Sequence, residues 1–88
     1  MKLHLESGQE AEAQSLDGNV LTLRSPRAFA PGSPIRFTAT LGEGVDRFFE
    51  GRTIGSRRAD DEVFEVRMRF VNLRRRDREA LAAHLRPV

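Results

Sequence analysis

Histidine is the side chain best suited to moving protons near neutral pH. It occurs at only two positions, His4 and His84. Lys2, His4 and Glu6 alternate with Leu3 and Leu5, which puts His4 on an outward strand face. His84 falls near the end of a helical pattern, where the helix terminus favours positive charge. A proton-transfer pair must converge on a cleft, and nothing in this spacing brings the two together. Cysteine is absent, which removes disulfides, thiolate metal sites and a cysteine nucleophile. Two histidines and scattered carboxylates have no metal-ligand spacing. Asp60-Asp61-Glu62 follows Arg57-Arg58 and reads as a solvated turn of mixed charge. Gly42-Glu43-Gly44 lacks the later Gly, Lys and Ser/Thr of a phosphate loop, and it joins two strands rather than a strand and a helix. No catalytic residue, metal site or cofactor is expected.

Arginine is the residue type with binding chemistry to offer. Fourteen of the fifteen basic residues are Arg, and the guanidinium fork matches phosphate and carboxylate bidentately. The clusters are Arg57-Arg58 and the run Arg74, Arg75, Arg76 and Arg78. The run crowds the start of a helix, where the helix dipole and mutual repulsion both disfavour it. Asp77, Glu79 or Glu65 are positioned in the sequence to offset it. Both clusters are candidate contacts for an anion or an acidic partner. The formal net charge is only +2, too small to announce nucleic-acid binding, because thirteen acidic residues are interspersed. Tyr and Trp are absent, and single-strand binders commonly stack bases on aromatic rings. Phe48-Phe49 is an exception among the inward-reading phenylalanines. Neighbours on a strand face opposite ways, so one of the pair is a candidate exposed contact.

The elements that position these residues are short strands followed by one helix. Eighty-eight residues make one small domain, 1–88, without a second core. No run approaches the ~18 apolar residues of a membrane span, and the first residues lack the apolar core of an export signal. The cytoplasm is the default compartment. Strands are expected within 2–72: Lys2 to Glu6, Glu10 to Leu16, Val20 to Arg24, Ile35 to Leu41, Val45 to Ser56 and Val63 to Val71. Asp17-Gly18 signals a tight turn. Ser25 to Pro34 carries three prolines and reads as a loop, with Phe29 tucked into the core. Ile35, Phe37, Ala39 and Leu41 share one face, as do Phe64, Val66, Met68 and Phe70. Gly51 and Gly55 suggest a bulge or bend in the fifth strand. Arg57 to Asp61 reads as a charged turn. After Asn72, read as the helix N-cap, Leu73, Leu81 and Leu85 lie on one helical stripe, giving a helix over about 74–85.

The stretches Asn19-Val-Leu-Thr-Leu-Arg-Ser-Pro26 and Phe29-Ala-Pro-Gly32 resemble the middle of bacterial PilZ domains. The likeness continues through Ile35 to Leu41, Phe49-Glu-Gly-Arg52, Val66-Arg-Met-Arg-Phe-Val-Asn-Leu73 and the terminal helix. The resemblance implies an all-β domain with one helix: a six-stranded antiparallel barrel plus a C-terminal α-helix. Many PilZ domains are receptors for cyclic di-GMP. They use an N-terminal Arg-x-x-x-Arg arm and an Asp/Asn-x-Ser-x-x-Gly motif at the second hairpin. This chain begins Met1-Lys-Leu-His-Leu5, directly in the first strand, without the arm. At the hairpin Ser15 stands where Asp or Asn is expected, Asp17 where Ser is, and Val20 where Gly is. None of these roles transfers.

The expectation is a non-enzymatic PilZ-like signalling adaptor that works through a protein partner, in bacterial cyclic di-GMP-related regulation, with cyclic di-GMP binding weak or absent. One alternative is a receptor for cyclic di-GMP or another phosphate using substituted arginines such as Arg57 and Arg58. A second, less favoured for lack of stacking aromatics, is a nucleic-acid-binding barrel.

Overall fold

A computed structural model describes residues 1–41 and 44–85. Six strands run in chain order: β1 (Lys2–Leu5), β2 (Glu10–Asp17), β3 (Val20–Ser25), β4 (Pro34–Leu41), β5 (Val45–Asp60) and β6 (Val63–Phe70). One helix, α1 (Arg75–His84), follows. All pairings are antiparallel, and the order β1-β2-β3-β6-β5-β4 closes because β1 pairs with both β2 and β4. The six-stranded antiparallel barrel with a C-terminal helix is as expected from the sequence. No helix among the described residues is long and apolar enough to cross a membrane.

Period-two alternation dictates the interior. Ile35, Phe37, Ala39 and Leu41 of β4 and Val66, Met68 and Phe70 of β6 are all buried. Phe37, Phe49 and Phe70 meet at its centre with ring centroids 5.5–6.1 Å apart, the range of favourable stacked and edge-to-face pairs. Leu81 of α1 and Leu85 are buried against the same core, with Leu73 and Ala80 partly so. Phe29 and Phe64 are partly buried against it, so Phe64 is less enclosed than its alternation suggests.

Several local expectations are corrected. Arg57 to Asp60 are not a turn but the last residues of β5, and the turn is Asp61-Glu62. The extension is held by its partners on β6: Arg57 faces Glu65, Arg58 faces Phe64 and Asp60 faces Val63. Gly51 is not at a bulge. It sits in regular register opposite Phe70, and a side chain there would collide with the Arg69 carbonyl oxygen and the Met68 methyl group. The irregularities lie between Thr53 and Gly55 and between Arg58 and Asp60. Asn72 is not the N-cap of α1. It adopts a left-handed conformation, φ 55°, which Asn tolerates better than most residues, and it turns the chain away from β6. The cap position is Arg74, whose side chain makes no capping hydrogen bond. Ser25 and Pro34, expected in a loop, end β3 and open β4. The expected Gly42–Gly44 turn falls mostly outside the described residues.

The loop between β3 and β4 is strapped to β5 by one side chain. The Ser56 hydroxyl accepts from the Phe29 backbone N–H at 2.9 Å and donates to the Phe29 carbonyl at 2.8 Å. Ser56 thus does what a neighbouring strand's backbone would do, where β4 no longer flanks β5.

Candidate interaction surface

The arginines singled out in the sequence do not gather. Arg57 and Arg58 are consecutive on a strand and point to opposite faces. Arg57 donates to Glu65 Oε1 from Nε at 3.1 Å and from Nη2 at 3.0 Å. The Arg58 guanidinium lies 5.8 Å from the Phe64 ring centroid. At about 100° per residue, Arg74, Arg75, Arg76 and Arg78 fan around the first turns of α1. Arg75 pairs with Glu79 at 3.2 Å, the i,i+4 arrangement. Arg78 makes a long contact to Asn19 Oδ1 at 3.5 Å. Asp77 pairs not with these arginines but with Arg47 of β5, at 3.5 Å.

The hairpin that aligns with the cyclic di-GMP motif is equally dispersed. A register shift between Ala13 and Ser15 flips the alternation, so both Ser15 and Leu16 are buried. Asp17 is exposed beside the Gly18-Asn19 turn, and Val20 is half-buried opposite Arg69. Gly18 has φ 60°, the first-position glycine of a type II′ hairpin turn.

Phe48 and Phe49 divide as strand geometry requires. Phe49 is in the core, while Phe48 is 64% exposed. Phe48 follows Asp46 in the outward row of β5, which continues through Glu50, Arg52 and Ile54. On β6 the corresponding row is Glu65, Arg67 and Arg69, continued by Val71 beyond the strand. The register places Arg52 directly opposite Arg69 and Arg67 opposite Gly55. Like charges facing each other across a sheet are destabilising. None of these three arginines forms an ion pair with a described carboxylate. The acids nearest them are already engaged, Glu50 by Arg36 at 3.4 Å and Glu65 by Arg57, and Asp46 farther along the row accepts from the Thr40 hydroxyl at 2.6 Å. Arg52 is steadied by donating to the Gly32 carbonyl at 3.2 Å.

Apolar groups flank this charge. Ile54 and Val71 are exposed at 38% and 41%. Over Gly55 lies an open depression of ≈ 440 Å³, walled by Ile54, Arg57, Glu65 and Arg67. A comparable groove, ≈ 470 Å³, opens between the β1–β2 turn and the Phe29 loop. One of its arginines, Arg36, is neutralised by Glu6 and Glu50, and the other, Arg27, lies over the Phe29 ring at 4.8 Å. Among the described residues, no three His, Asp or Glu side chains gather in a metal-binding arrangement.

Sequence reading places Arg67 and Arg69 outward but misses Arg52 as their partner. The signal is present in the outward order Phe48, Glu50, Arg52, Ile54. It is masked because the inward residues between them include Gly51 and Thr53, which carry little apolar contrast. No family model matches the chain, and no curated protein or solved structure shows significant similarity to it.

Proposed function

We propose that this domain is a PilZ-like, non-enzymatic adaptor of the bacterial cytoplasm. It contributes to cyclic di-GMP-related regulation through contact with a protein partner and does not bind the dinucleotide in the family manner. The observation that carries the reading is Phe48, a large aromatic side chain left 64% exposed at the edge of an apolar and basic face. Exposed aromatics and arginines are the residue types enriched where proteins meet. The residue likeness and the barrel-plus-helix architecture support the family assignment. The buried Ser15, and Asp17 and Val20 in place of the Ser and Gly of the hairpin motif, argue against the usual ligand mode.

Two measurements test it. A photo-crosslinking amino acid at position 48, in the organism that encodes the protein, is expected to give a discrete protein adduct. The same group at position 12, on the far side of the barrel, gives none. In calorimetry, cyclic di-GMP is expected to give no saturable binding at micromolar concentration. The absence of any position-48 adduct would remove the adaptor reading. Saturable micromolar binding, abolished by changes in the Ser15 to Val20 hairpin, would replace it with a receptor.

A further inference from the structure

We infer that the outward face of β5 and β6 is a docking site for an acidic polypeptide segment that also carries apolar side chains. The inference rests on the adaptor reading and specifies the partner's chemistry. Three arginines, Arg52, Arg67 and Arg69, lie on one face within two cross-strand rows of each other. Each lacks a carboxylate partner among the described residues, whereas the neighbouring Arg36 and Arg57 have theirs. The face therefore carries uncompensated positive charge, with two of its members held in direct opposition. A ligand bearing carboxylates relieves that opposition and meets guanidinium forks in the geometry they suit.

Gly55 supplies an independent observation. Its φ is not left-handed, and a Cβ there would meet nothing within 4 Å. Gly55 closes the bulge that follows Thr53, yet no close neighbour on its own chain requires a glycine there. What the missing side chain does is leave the depression beside Arg67 open to solvent. Phe48 and Ile54 are the apolar residues on either side of Glu50 and Arg52 in the row. They lie six residue steps apart, roughly 20 Å at ~3.3 Å each, the length of about 13 residues of helix.

The occupant is a polypeptide rather than a nucleic acid. Nucleic-acid strands commonly bind by stacking bases on several aromatic rings, and the exposed apolar groups flanking these arginines are one phenylalanine, Phe48, and the aliphatic Ile54 and Val71. Strand addition is not available to the partner at Arg52 and Arg69. β5 and β6 are paired on both sides through Arg52 and Arg69, so recognition falls to side chains.

The test is an amide-shift titration of the isotopically labelled protein with three probes. These are a short synthetic peptide of Glu and Leu in amphipathic helical order, its Lys-for-Glu counterpart, and an oligothymidylate. The Glu–Leu peptide is expected to move the amides of Ile54, Gly55, Arg67 and Arg69, and its affinity should fall as salt rises. Arg67→Gln together with Arg69→Gln should weaken it by roughly tenfold or more. Gly55→Val should weaken it as well while leaving the amide spectrum folded, because the added methyl groups enter open space. The Lys peptide should not bind. The inference is overturned if the Glu–Leu peptide does not bind, if it binds elsewhere, or if the variants leave its affinity unchanged. It is also overturned if oligothymidylate displaces it from this face, or if the face is already occupied by a second copy of the chain in a dimer that Arg67→Gln dissociates. A protein adduct from position 48 without Glu–Leu binding removes this inference and leaves the adaptor reading standing. Binding here without such an adduct removes the adaptor reading alone.

Discussion

Phe70 is almost wholly buried and touches both Phe37 and Phe49 edge-on. Truncating it removes one of three rings at the centre of the barrel, and the closed sheet around it has little freedom to collapse into the void. Phe70→Ala should cost about 3–5 kcal/mol in chemical denaturation, a large part of a small domain's stability. A loss under about 1 kcal/mol would mean that the inward face of β6 is wrongly assigned. Gly51 probes the opposite defect. The atoms a new Cβ would strike include the Arg69 carbonyl oxygen, which belongs to the ladder and cannot rotate away. Gly51→Ala is therefore expected to destabilise by about 1–3 kcal/mol, as overpacking does, while Gly55→Ala stays within about 0.5 kcal/mol. Equal thermal midpoints for the two variants would contradict the close approach at Gly51.

At the level of single elements, legibility in the sequence follows from contrast. β4 and β6 alternate large apolar residues with charged or hydroxylated ones, so their faces can be read directly: Phe37 against Arg36 and Thr38, Met68 against Arg67 and Arg69. β5 is harder to read, because its inward set includes Gly51 and Thr53 and its bulge shifts the parity before Ser56. Its true length depends on long-range pairing with Val63 to Glu65, which no local pattern shows. Asn72 is ambiguous for a chemical reason. The short amide side chain suits both an N-cap and a left-handed turn, and only the path of the chain decides between them. The clustered arginines of the sequence were a poor guide to the candidate surface, because adjacency along a strand or helix start separates side chains in space. The surface came instead from residues 17 apart, Arg52 and Arg69, brought together by register. Arg74 gives the element-scale prediction. It occupies the cap of α1 without a capping bond and places positive charge where the dipole disfavours it. Arg74→Asp should stabilise the domain by about 1 kcal/mol, read as a higher denaturation midpoint. No change, or a loss, would show that the Arg74 side chain makes a compensating contact.

Across the whole molecule, closure depends on the shortest strand. β1 contributes four residues, yet it is the element that joins β2 to β4. By contrast β5 and β6 share a long ladder spanning Gly51 to Asp60 on one strand and Val63 to Phe70 on the other. Cooperative units in proteins open at different free energies according to how much they bury and bond. β1 is therefore the seam of the barrel, and its detachment is the least costly way to open it. In native-state hydrogen exchange, the amides of Leu3 and Leu5 should exchange well before those of Met68 and Phe70. Uniform protection around the barrel would show instead that it opens only by unfolding as one unit. When the seam parts, β2 and β4 each acquire a bare edge of unpaired N–H and C=O groups, a template for pairing with other chains. The same four residues that close the native sheet into a ring thus set the rate at which aggregation-competent molecules appear, even while most of the chain remains folded.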